Sequence, residues 1–82
     1  MAIPLYGFVR GDTLGLVVLA PESERVEELA LRLARAAAPR VAIRGALQVW
    51  HRGRPLREGL TLREAGLTAL ERVDLVVRKD LA

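Results

Sequence analysis

The chain has 82 residues, 51 % of them apolar, with 13 Lys/Arg against 10 Asp/Glu, a net charge of +3 and no cysteine. That length permits one small core, so a single domain over residues 1–82 is expected. The absence of cysteine excludes disulfides, thiolate chemistry and cysteine-bound zinc.

Ile3 to Arg10 alternates and reads as a strand. Gly11-Asp12 then suits a two-residue type II′ turn into a second strand, Thr13 to Ala20. Pairing Arg10 with Thr13 sets the register. One face carries Ile3, Leu5, Gly7 and Val9 against Leu14, Leu16, Val18 and Ala20. The other carries Pro4, Tyr6 and Phe8 against Gly15, Val17 and Leu19, with the Phe8 ring over Gly15. An antiparallel sheet with one wet face should alternate apolar and polar residues. Here both faces are apolar, and one amphipathic helix covers only one of them. A partner surface is the explanation left for the second.

Pro21 to Ala38 reads as that helix, with Ser23 as N-cap. Val26, Leu29, Ala30, Leu33 and Ala37 share one face at helical spacing. Arg32 and Arg35 suit the later half of the helix dipole, Pro39 ends the helix, and Leu31 falls on the polar side. Val41 and Ile43 are expected under the helix end. Leu47 to His51 is the third strand, with Trp50 on the face opposite Val49. Gly53 permits a turn into a short strand, and Pro55 fixes φ just before the apolar anchor Leu56. Thr61 to Gly66 reads as a short turn of helix, with Thr61 as cap, Glu64 at capping-box spacing and Gly66 as C-cap. Arg72 to Lys79 is the last strand, with Val73, Leu75 and Val77 on one side and Asp74, Val76 and Arg78 on the other. The order β-β-α-β, short strand, turn, β predicts an α+β protein: a ubiquitin-like β-grasp, its mixed sheet packed on one main helix. Trp50 and Val76 then join Tyr6, Phe8, Val17 and Leu19 on the uncovered face, and these six are the candidate partner-binding residues.

Chemistry is hard to place in this sequence. His51 is the single histidine, too few for a metal site built on several ligands, and is read as a residue at the sheet edge. No Glu-x-x-His pair stands on any of several long helices, as a carboxylate-bridged diiron centre requires. Ser23 is the only serine and has no strand-to-helix elbow around it. The glycines are single, without phosphate-cradling spacing. No catalytic, cofactor-binding or metal site is therefore expected. Twelve of the thirteen basic residues are Arg, interleaved with acids as in Glu22-Ser23-Glu24-Arg25. Nucleic-acid surfaces more often cluster one sign of charge beside stacking aromatics. A basic module using Arg40, Arg44, Arg52, Arg54 and Arg57 is the weaker alternative. No run is long and apolar enough to span a membrane, and the first residues lack the pattern of a signal peptide, so a soluble cytoplasmic protein is expected.

Leu47 to Val77 resembles the second half of ubiquitin without a gap, at Gly53, Leu56, Gly59, Thr61-Leu62, Leu67 and Val73-x-Leu75-Val76. The sequence closes on Arg78-Lys79-Asp80-Leu81-Ala82 instead of Gly-Gly, so neither conjugation nor sulfur transfer is expected. Three segments are similar to the small ubiquitin-like (gamma) subunits of bacterial multicomponent toluene, alkene and isoprene diiron monooxygenases. They are Ile3-Pro4 with Arg10-Gly11-Asp12 and Leu16-Val17-Val18-Leu19; Val41-Ala42 with Arg44-Gly45; and Leu60-Thr61-x-x-Glu64-Ala65-Gly66-Leu67-Thr68-x-x-Glu71-x-Val73-Asp74-x-Val76-Val77. The resemblance implies a non-catalytic structural subunit that packs against the large hydroxylase subunit. In that family the large subunit owns the diiron site, so no cofactor and no small-molecule substrate are expected for the small one. A free-standing ubiquitin-like interaction adaptor is the alternative.

Overall fold

The computed structural model describes residues 2–43 and 45–77. Its strands are β1 (Ala2–Val9), β2 (Gly15–Pro21), β3 (Leu47–His51), β4 (Arg54–Pro55) and β5 (Arg72–Val77), with α1 (Val26–Ala37) between β2 and β3. They form a five-stranded sheet in the order β2-β1-β5-β3-β4. β1 and β5 run parallel, and the other pairs are antiparallel. The last strand thus enters the middle of the sheet beside the first.

The hairpin register is the one expected, with Phe8 opposite Gly15 and Leu5 opposite Val18. The ladder stops at Phe8–Gly15, however, before Arg10 and Thr13. The Asp12 N–H closes back on the Val9 carbonyl at 2.9 Å, and the Asp12 carboxylate accepts the Leu14 N–H at 3.2 Å. That side-chain bond holds residues 12–14 in a turn and leaves Leu14 exposed instead of on the core face. The core lies between α1 and one face of the sheet. Val26, Leu29, Ala30, Leu33 and Ala37 of the helix pack with Leu5, Val9, Val18, Ala20, Val49, Val73 and Leu75. Leu62 and Leu67 close the open end, and Ile43 packs partly buried against the same cluster.

The helix starts later than its sequence suggests, and Ser23 is not its cap. Arg25 is the N-cap, with extended backbone, and Glu28 accepts its N–H at 3.1 Å. Two of the helix's unpaired N–H groups find carbonyls from a distant loop: Val26 donates to Leu60 at 2.8 Å and Glu27 to Glu58 at 3.2 Å. Leu62 in turn donates to the Glu24 carbonyl at 2.8 Å. Gly7 lies beneath the helix, where an added Cβ would run into Leu33 Cδ2. The capping-box residues behave as expected: Thr61 N–H donates to Glu64 at 2.9 Å and Glu64 N–H to the Thr61 hydroxyl oxygen at 3.1 Å. They hold turns and not a helical segment. The expected last two residues of the final strand, Arg78 and Lys79, lie outside the described residues.

Candidate functional site

The helix occupies one side of the sheet; the other side lies open. Cross-strand register places all six candidate residues on it. Tyr6 pairs with Val17, and Pro4 with Leu19. Phe8 and Trp50 both pair with Asp74, from opposite sides, and Val76 stands two residues further along β5 opposite Gln48. One row therefore crosses the whole sheet: Gly15, Phe8, Asp74, Trp50, Pro55.

The six residues differ in how far they face water. Val17 is 65 % exposed, Leu19 63 % and Tyr6 42 %. Phe8, Trp50 and Val76 are half-buried. Phe8 is fixed from two sides. A Cβ on Gly15 would meet its ring at 2.8 Å, and the Arg72 guanidinium stands 4.2 Å from the ring centre. Leu70 belongs beside this set and went unpredicted. It is 60 % exposed, and its N–H donates to the Pro4 carbonyl at 2.6 Å. It also holds φ at 67°, a conformation that L-residues other than Asn and Asp avoid. Nothing in Thr68-Ala69-Leu70-Glu71 announces that conformation, since glycine is the usual signal for it.

The open face is less uniformly greasy than the hairpin alone suggests. Arg72 and Asp74 lie across its middle, paired through Nε at 3.3 Å and a terminal nitrogen at 3.0 Å. They divide an uncharged half, Tyr6, Val17 and Leu19, from a half centred on Trp50. A concavity of about 610 Å³ opens beside Trp50, bordered by Phe8, Arg10, Arg72, Asp74 and Val76.

His51 projects to the other side. It is not on an edge strand, because β4 pairs outside β3 and Arg54 lies opposite His51. Its Nε2–H donates to Glu71 at 2.7 Å. Glu71 also accepts the Thr68 N–H at 2.8 Å and the Thr68 hydroxyl at 2.6 Å, and Arg52 reaches it at 3.2 Å. The two Thr68 bonds, then the imidazole, hold its carboxyl well down, from its ordinary 4.5 to about 2. This cluster ties the β3–β4 turn to the loop before β5. Among the described residues, no group of three His, Cys, Asp or Glu is placed to hold a metal ion, and no helix is long and apolar enough to cross a membrane.

Neither a protein-family model nor a curated protein sequence matches the chain. Solved structures do. A chain of the toluene 4-monooxygenase HD complex with the inhibitor 4-bromobenzoate matches with a TM-score of 0.89 and 24 % identity, over 95 % of this chain and 100 % of that one. Ubiquitin of Caldiarchaeum subterraneum matches with a TM-score of 0.77 and 13 % identity, over the full length of both. A designed protein based on ubiquitin gives 0.80 and 22 %, over 96 % and 92 %. The chain has the ubiquitin-like β-grasp fold. Its likeness to the chain from the toluene monooxygenase complex runs almost end to end, without large additions on either side.

Proposed function

We propose that this chain is a non-catalytic structural subunit of a multicomponent diiron hydrocarbon monooxygenase. In this reading it docks on the large hydroxylase subunit through the open face of its sheet, and the chemistry belongs to that subunit. The observation that carries the reading is the exposure of Tyr6, Val17 and Leu19, side by side on a face the helix does not reach. Covering Val17 and Leu19, each about two-thirds exposed, would stabilise a complex by roughly 1–2 kcal/mol apiece. The shared fold and matched length of the monooxygenase chain support the choice of partner.

The basic-module alternative is weakened by where its arginines go. Arg40 is bonded to Asp12 and Arg52 to Glu71; Arg44 lies outside the described residues. The adaptor alternative shares the fold but calls for a different partner. Co-expression with the neighbouring genes, followed by pull-down, separates the readings. The large subunit should co-purify with the wild-type chain. Trp50→Ala and Leu19→Ser should each reduce its recovery, by tenfold or more for Trp50, since buried aromatic anchors are worth about 2 kcal/mol or more. Unchanged recovery with folded variants would overturn the docking face, and a complex that never forms would overturn the choice of partner.

A further inference from the structure

We infer that the partner surface covering the Trp50 half of this face is acidic, and that it sets one or more carboxylates against Arg10 and Arg72. The inference rests on the docking reading above and names the chemistry of the surface that docks. The alternation that puts Tyr6 and Phe8 on the open face brings Arg10 to its end, where it borders the same concavity as Trp50. Arg72 sits in the middle of the face, 63 % exposed. Against these two cations the open-face strand residues offer one carboxylate, Asp74, and Arg72 already holds it. Arg52 stands apart from this set, because it pairs with Glu71 at 3.2 Å. Arg10 has no ion-pair partner among the described residues.

Burying such a surface against a purely apolar or basic patch would strip water from the Arg10 guanidinium and return nothing. Carboxylates on the partner remove that cost and also steer the approach. A nucleic acid offers negative charge too, but the other half of the face argues against it. Leu19, Val17 and Tyr6 form an uncharged patch that a phosphate backbone cannot cover, whereas an acid-fringed apolar protein surface fits both halves.

The test measures association of the purified chain with the large hydroxylase subunit at rising sodium chloride. The wild type should associate fast at low salt and slow steeply as salt is added. Arg10→Glu should slow association by roughly three- to tenfold at low salt and flatten the salt dependence, with dissociation little changed. If Arg10→Glu associates as the wild type does while Leu19→Ser still fails, docking stands and the acidic surface is wrong. If Leu19→Ser and Trp50→Ala also bind normally, the docking reading falls and takes this inference with it. Salt-sensitive capture of a single-stranded oligonucleotide by the same arginines would overturn it in favour of nucleic acid.

Discussion

Glu71 is a meeting point of side chains. Four groups converge on it: the Thr68 N–H and hydroxyl, the His51 imidazole and the Arg52 guanidinium. Its folded-state pKa lies below the unfolded one, at about 2 against 4.5. Its contribution to stability is therefore full above pH 4.5 and is lost as the pH falls toward 2. Glu71→Gln should lower stability at neutral pH and flatten the acid limb of a stability–pH curve, read by urea midpoints across that range. Next to it, Leu70 holds a left-handed backbone without being glycine. Leu70→Gly should raise stability by about 1 kcal/mol, because the steric cost of that conformation for an L-residue is on the order of 1–2 kcal/mol and glycine's extra unfolded-state freedom returns part of the gain. A lower melting temperature would show that the exposed leucine is held by packing and not by backbone alone. The Glu71 hub was partly legible. Thr68 and Glu71 repeat the Thr-x-x-Glu spacing of Thr61 and Glu64, and in both pairs the Thr N–H donates to the Glu carboxylate, while the hydroxyl accepts the Glu64 N–H in one and donates to the Glu71 carboxylate in the other. The approach of His51, 20 residues away, had no local signal.

At the scale of elements, periodicity carried most of the information. The five helix residues expected to face the core are the five that are buried, and β3 runs over its expected span. Alternation also fixed which hairpin residues share a face, because in a strand one side chain in two must point the same way. The helix start is different. Its N–H groups are satisfied by carbonyls of residues 58 and 60, a bargain struck between segments far apart in sequence, so a local search for a capping serine had nothing to find. The same long-range strap explains why 61–66 stays a series of turns. Gly7 is another tertiary decision, since the residue is required by Leu33 above it and not by its own backbone. Gly7→Val should destabilise by roughly 1–3 kcal/mol through overpacking, measurable as a fall in denaturation midpoint. Gly53→Ala, with open space around its Cβ, would lose stability only through its positive φ of 77°.

For the whole molecule, what matters is the distribution of apolar surface. A chain this short has one helix to spend on covering its sheet, and the open face keeps Tyr6, Val17 and Leu19 in water. The hairpin alone implies the exposed apolar patch but overstates its extent, because Arg72 and Asp74 come from a strand whose residues pair with β1 across 66 positions of the chain. Where a partner's carboxylates would land was legible only once β1, β3 and β5 were side by side. The proposed division of labour also predicts that the chain purified alone carries no stoichiometric iron, which elemental analysis can check.

Amide hydrogen exchange on the chain, free and bound to the large hydroxylase subunit, tests docking through the open face most directly. New protection should concentrate in β2 and around Trp50, while the outer helix surface at Leu31 and Arg35 exchanges as before. Protection gained on the helix, with Val17, Leu19 and Trp50 unchanged, would contradict it.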